Sequence, residues 1–333
     1  MTTARITAGL ILLCTLTACS GGGSSSGPAE TRFLSIGTAP PGGTFFIIGG
    51  AIGDVLNAHK GPIDWAVTAE ATSGSQENIR RLAQGEIDFA ISNSAVTYFA
   101  VRGEEGWDKP YPIRSVMTLA PNVALFVAPK SAGIRTIADL RGKRVVIGPA
   151  GAGFETFVTP LLAAHGLALE DFTALNNTQT GAVDMLADGS ADAAFLGGGV
   201  PTASIVQAAS SMDLTYIPFD PQAVEKLVAE YLFFRPARIP AGTYRGLDQD
   251  FLGLDVGSMH LITAADQDED LVYQVTRTIY EQREAVAQKH ASGKSINAEN
   301  VARPTGTEFH PGAVRYYREI GVWQEPAAGG GSR

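Results

Sequence analysis

Leu82 to Ala90 reads LAQGEIDFA, and Leu186 to Ala194 reads LADGSADAA. In the first, an amphipathic helix closes on Gly85 and the chain returns as the strand IDFAISN. The second closes a helix over Thr180 to Asp188 and leads into ADAAFLGG. A second pair lies upstream, Ile36-Gly37-Thr38-Ala39 and Ile147-Gly148-Pro149-Ala150, at nearly the same separation. Working outward, FLSIG is a short strand. Thr44 to His59 is then a helix with Phe45, Ile48, Ile52, Val55, Leu56 and His59 on one face. IDWAVTA alternates through Ile63, Trp65, Val67 and Ala69 as a strand. SGSQENIRRLAQG opens with Ser73 and Gln76 at capping-box spacing, so a capped helix follows. The second copy runs RVVIG, the loop PAGAG, and a helix over Phe154 to His165 stopped by Gly166. Strands and helices alternating over short connections imply parallel α/β sheets, here in two similar lobes.

Two apolar segments join the lobes. Leu119 to Val127 (LAPNVALFV) is read as a crossing strand and Gly257 to Thr263 (GSMHLIT) as the strand that crosses back. The expected division is 33–123 with 255–323 for the first lobe and 124–254 for the second, leaving a flexible tail over 324–333. The Gly-rich loops follow the carboxyl ends of strands, where open α/β sheets bind ligands, so both sets should face one hinged cleft.

The ends and the composition bound the setting. MTTARITAGLILLCTLTACS carries Arg5, an apolar run from Ile6 to Leu16, and then Leu16-Thr17-Ala18-Cys19. This has the form of an export signal over 1–18 with a lipobox, which makes Cys19 the expected lipidated N-terminus. A plain secretory signal with a chance cysteine is the rival reading. The Gly/Ser-rich tether over 19–32 suits a domain held to a membrane by lipid alone. Loss of Arg5 takes the formal charge from −9 to −10, and loss of Cys14 leaves Cys19 as the only cysteine. An internal disulfide is then impossible, and the acidic balance argues against a nucleic-acid partner. Beyond the leader, no apolar run is long enough to cross a membrane as a helix.

Five blocks carry a family resemblance: IGTAPPGGTFFIIGGAIGDVLN, TSGSQENIRRLAQGEIDFAISNSAV, IADLRGKRVVIGPAGAGFET, IPAGTYRG and FHPGAVRYYREIGV. In order, they resemble the TAXI family, the extracytoplasmic solute receptors of tripartite ATP-independent periplasmic (TRAP) transporters. The resemblance spans nearly all of Phe33 to Val322. It implies the type II periplasmic-binding-protein fold, a small solute that is often a carboxylate, and delivery to a sodium-driven TRAP permease. The departures bear on the ligand. Phe45-Phe46 stands where the family usually has Tyr-Tyr, Asn93-Ser94-Ala95 where it has Gln-Ser-Asp, and Gly151-Ala152-Gly153-Phe154-Glu155 where it has Gly-Ser-Gly-Thr-Glu. Hydroxyls and a carboxylate are lost, so a solute less polar than an amino acid, or differently charged, such as a non-amino carboxylate, is expected.

The candidate contacts are read against plainer roles. Gly43 and Thr44 offer backbone N–H groups and a hydroxyl at a helix start, or merely a cap. Phe46 enters through the Tyr-Tyr comparison. Ser73 has a capping role available, whereas Ser75 is freer. Asn93 both donates and accepts, as a carboxylate or keto oxygen requires, and Ser94 follows it at the strand end. Gly151, Ala152, Gly153, Phe154 and Glu155 mirror the first loop from the second lobe, with Phe154 as an apolar wall or as core. Gly198 permits close backbone approach, or is simple turn chemistry. Tyr244 is a cleft or hinge residue by resemblance, and Arg80-Arg81 reads as a solvated face. No cation stands out as a carboxylate partner.

An enzyme is the rival of a different class. His59, His165, His260, His290 and His310 are scattered, and no nucleophile elbow, zinc, redox or phosphate-loop motif occurs. Neither catalysis, nor a metal, nor a cofactor is expected. An ABC-importer receptor or a sensor-kinase receptor on the same fold remains the alternative.

Overall fold

The computed structural model describes residues 31–325; the leader, the lipobox at Cys19, most of the tether and most of the C-terminal tail lie outside that range. The first half-lobe runs β1 (Arg32–Gly37), α1 (Thr44–Ala58), β2 (Trp65–Glu70), α2 (Ser75–Ala83), β3 (Phe89–Asn93), α3 (Ser94–Ala100) and β4 (Ile113–Ala120). The chain then enters a second sheet with β5 (Val123–Pro129), β6 (Arg144–Gly148), α4 (Glu155–Ala164), β7 (Thr173–Asn176), α5 (Gln179–Ala187) and β8 (Ala193–Gly198). It continues through α6 (Ala203–Ser211), β9 (Leu214–Ile217), α7 (Pro221–Glu230), β10 (Phe234–Ile239) and β11 (Phe251–Val256). Finally β12 (Met259–Ala264) rejoins the first sheet, followed by α8 (Glu269–Glu281), α9 (Arg283–Lys289) and α10 (Pro311–Glu319).

The sheet orders show the repeat as topology. In the first sheet, β2-β1-β3-β12-β4, the first three strands are parallel and β12 lies antiparallel to β3. In the second, β10-β11-β5-β8-β6-β7, strands β8, β6 and β7 are parallel and β5 lies antiparallel to β8, with β9 also pairing β5. The incoming strand of each sheet is therefore the one arriving from the other lobe.

Leu119 to Val127 is not one crossing strand. It is the end of β4 and the start of β5 in different sheets, separated by Pro121 and Asn122, because proline cannot donate to a ladder and breaks the run. Gly257 and Ser258 separate β11 from β12 in the same way.

Local physics accounts for the other differences. Helix α1 buries Ile48, Ile52, Val55 and Leu56 at helical spacing, and Gly49 lets it press onto Thr38 of the loop after β1. His59 ends up exposed beyond the helix rather than on its apolar face. Helix α2 is capped at Gly74, not Ser73: the Gly74 N–H goes to the Thr72 hydroxyl at 3.2 Å, and the Ser73 N–H goes to the Glu77 carboxylate at 2.8 Å. Arg81 is not free in solvent, since Glu70 at 2.8 Å and Glu86 at 3.3 Å hold it. Helix α5 starts a residue before Thr180 because the Thr178 hydroxyl caps it by accepting the Gly181 N–H at 3.1 Å.

Two cores result. One, around Leu34, Ile52, Trp65, Leu261 and Tyr317, lies on one face of the first sheet. The other is shared: it runs from Ile79, Val96 and Phe99 of the first lobe into Phe126, Phe157 and Phe195 of the second. Where the lobes meet, Tyr98 and Phe99 of α3 stack edge-on against Phe233 at 5.2 and 5.7 Å between ring centres.

Candidate functional site

A cavity of about 320 Å³ opens between the two sheets. Parallel strands deliver helices whose first turns point back to the strand ends, so the N-termini of α1, α2, α5 and α6 all reach its wall through Thr44, Ser75, Gln179 and Ala203. First-turn N–H groups have no partner within their own helix and carry the positive end of its dipole. The wall therefore offers donors to an anion. Among the described residues it contains no Asp, Glu, Lys, Arg or His, so neutral dipoles supply all its polarity. Its apolar part comes from Pro40, Pro41, Phe45, Pro149, Phe154 and Phe157.

The two lobes touch across this space. A Cβ placed on Gly74 would lie 3.3 Å from Cβ of Ala152, and one on Gly198 would lie 3.3 Å from the Thr44 hydroxyl. One on Gly153 would lie 3.0 Å from Val96 of α3. Side chains at these glycines would hold the walls apart.

Several polar groups of the wall serve the protein first. Gln179 donates Nε2 to the Gly197 carbonyl at 2.7 Å and accepts the Ser204 hydroxyl on Oε1 at 2.7 Å, tying α5, β8 and α6 together. Asn93 accepts the Ala95 N–H at 2.8 Å, capping α3, and donates Nδ2 to the Gly257 carbonyl at 2.9 Å. Ser75 accepts the Asn93 N–H on Oγ at 2.9 Å and keeps its own proton to donate. The Thr202 N–H donates to the Tyr244 hydroxyl at 2.9 Å. Burial pushes the Tyr244 phenol up, so it is protonated, and it buttresses the start of α6 from behind the wall. Asn122 is the exception: it lines the cavity, is 8 % exposed as a residue, and its side chain makes no hydrogen bond to a described residue.

Of the residues singled out in the sequence, Gly43, Thr44, Ser75, Asn93, Ala152, Phe154 and Gly198 lie on the cavity wall. The others do not. Phe46 is turned away by the helix, and its neighbour Phe45 takes that place. Ser73 is exposed on the loop before α2, and Gly151 is exposed at its own loop tip. Ser94 is fully buried, its N–H given to the Ser258 carbonyl at 3.0 Å. Gly153 is packed between Gln76 and Val96, and Glu155 stands half-exposed on the first turn of α4. Sequence reading missed Asn122, Thr178, Gln179, Thr202 and Ser204. Thr178 and Thr202 carried a legible signal as cap residues ahead of helices, and Asn122 was marked by a Pro-Asn pair inside an apolar run.

Two α/β lobes joined by two short connections, with helix N-termini of both around a common cavity, make up the type II periplasmic-binding-protein architecture. A family description, NMT1-like, matches residues 36–321, and the chain belongs to that family. PhnD1 from Prochlorococcus marinus (MIT 9301), solved in complex with methylphosphonate, is similar in structure at 11 % identity; the match covers 88 % of this chain and 99 % of that one, with a TM-score of 0.53. A protein of Bordetella bronchiseptica RB50 matches at 14 % identity over 88 % of this chain and 90 % of its own, with a TM-score of 0.51. The putative sulfonate ABC transporter's periplasmic sulfonate-binding protein from Methylobacillus flagellatus KT matches at 14 % identity over 89 % of each chain, with a TM-score of 0.48. The first two likenesses concern the fold alone.

Proposed function

We propose that the protein is a solute-binding protein of a membrane importer, and that it captures a small anionic solute of carboxylate type in the cavity between its lobes. The observation that carries this reading is the cavity wall, where helix N-termini from both lobes converge and no side chain is charged. An oxyanion can rest on such amides with charge-assisted hydrogen bonds. An ammonium cannot: taken from water with no anionic partner it loses several kcal/mol, and about 4 kcal/mol already erases ~1000-fold in affinity. The solute is therefore read as a keto or apolar acid in preference to an amino acid, its body against Phe45, Phe154 and the prolines. Calorimetry with 2-oxoglutarate and glutamate side by side tests this. Binding of 2-oxoglutarate at least tenfold tighter is expected; glutamate binding as tight as that of 2-oxoglutarate would overturn it.

The partner is read as the membrane subunits of an ABC importer ahead of a TRAP permease. The TRAP reading depends on the resemblance of five sequence blocks, and the family match does not name it. A sensor kinase on the same fold is the remaining alternative, and binding without catalysis is common to all three. The compartment that fits is the periplasm, with a lipid anchor at Cys19 and no nucleic acid among the partners. Cys19→Ala is expected to release the protein from membranes while leaving its melting temperature unchanged; persistent co-sedimentation would remove the anchor.

A further inference from the structure

The two connections between the lobes are fastened to one buried carboxylate. Asn122, between β4 and β5, donates its backbone N–H to Asp255 Oδ1 at 3.0 Å and accepts the Val256 N–H on its carbonyl at 3.0 Å. The other Asp255 oxygen accepts the hydroxyl of Ser258, between β11 and β12, at 2.5 Å. Ser258 in turn accepts from Arg303 Nη2 at 2.5 Å, and that guanidinium stands 3.9 Å from Asp255. Asp255 is only 3 % exposed. Burial pushes its carboxyl up, while the Ser258 hydroxyl, the Asn122 N–H and Arg303 pull it down. A carboxylate kept out of water at this depth is tolerated only where donors converge on it, and here those donors come from both connections and the C-terminal segment.

The same residues reach the cavity. Asn122 is 8 % exposed as a residue, lies on the cavity wall, and its side-chain amide has no hydrogen-bond partner among the described residues. With its backbone N–H and carbonyl both engaged, that amide is the part of Asn122 left to bond to whatever fills the cavity. On the same wall, Asn93 holds the carbonyl of Gly257, whose φ of +110° admits glycine and places its Cα against Asn93.

We propose that Asn122 is the residue through which a bound solute grips the hinge, its side-chain amide donating to a solute oxygen, and that Asp255, with Ser258 and Arg303, is the positioning group that holds both connections in register behind it. This rests on the solute-binding reading of the same cavity. A solute bonded to the Asn122 side chain is held by the same residue whose backbone is tied to Asp255 and Val256. Occupancy and hinge geometry are thereby linked through a single residue.

Two measurements on the full chain test the proposal separately. With 2-oxoglutarate and methylphosphonate as probes, Asn122→Ala weakens calorimetric binding by about 10- to 100-fold, the worth of one hydrogen bond to a charged group. Asn122→Asp weakens it further, since it sets a carboxylate against the anion; neither variant lowers the melting temperature appreciably, because the side chain bonds to no protein group. Affinity of Asn122→Ala within about threefold of wild type overturns the grip. Without any probe, hydrogen exchange reads the positioning group: in Asp255→Asn the Asn122 and Val256 amides exchange at least about tenfold faster than in wild type while those of β3 do not change. Equal protection overturns it. If Asp255→Asn does not fold, Ser258→Ala is read in the same way. A wild-type protein that binds neither probe removes the solute-binding reading and with it the grip, whereas the exchange experiment still decides whether Asp255 sets the hinge.

Discussion

His260 shows how a buried side chain sets acid stability. It is fully buried in β12, its Nε2 lies 2.8 Å from the Thr97 hydroxyl, and its Nδ1 has no partner among the described residues. Burial, reinforced by the nearby Arg303 charge, holds its pKa down at about 3 against an ordinary 6.5. Below about pH 6.5 the unfolded chain takes a proton that the folded one refuses. This stabilising contribution is thus complete above that pH and is lost as pH falls toward about 3, at up to ~1.4 kcal/mol per pH unit. Burial also depresses His290 and His310, which adds to the same trend, whereas the raised Asp255 acts in the opposite direction. Urea unfolding of His260→Gln across the acid range is expected to show a slope shallower by up to one proton than wild type. An unchanged slope would place the acid sensitivity elsewhere.

At the scale of elements, the turn from β6 into α4 depends on a residue without a side chain. Gly148 has φ of +136°, and a Cβ there would meet the Phe154 ring at 2.5 Å. Gly148→Ala combines backbone strain with overpacking and is expected to cost about 2–4 kcal/mol in urea unfolding. It should also push Phe154 off the cavity wall and weaken solute binding; a variant as stable as wild type would show that the loop relaxes freely. The sequence made this turn legible because glycine, proline and a following helical pattern are local signals. Element types over the first βαβαβ unit followed from periodicity for the same reason, whereas in the repeat the short, largely exposed strand β7 carried no such pattern and was not read. The start of α2 was misplaced by a residue because the positive φ of Gly74, not a hydroxyl, ends the preceding loop. Phe45 and Phe46 were exchanged because the choice between adjacent helical positions depends on where the other lobe lies, which no local pattern records. The Pro-Asn pair marked a break at Asn122, but its bond to Asp255, far along the chain, is likewise recorded in no local pattern.

On the scale of the whole molecule, the lobes meet on either side of the cavity, and closure over a solute is expected to reduce the radius of gyration in small-angle scattering. Solute binding with no change in scattering would mean a preformed, rigid site. The seam of Tyr98 and Phe99 against Tyr231 and Phe233 limits how far the lobes separate, since opening there would wet a continuous apolar core. Phe233 is fully buried, and Phe233→Ala is expected to lose about 3–5 kcal/mol. The shared core also means that neither lobe owns a complete interior. Melting of the second would strip Ile79, Val96 and Phe99 of their neighbours, so the first should not survive alone. Scanning calorimetry should then register one endotherm with equal van't Hoff and calorimetric enthalpies, and limited proteolysis should yield no stable half. A protein assembled from a repeated unit would behave, thermodynamically, as a single indivisible cooperative body.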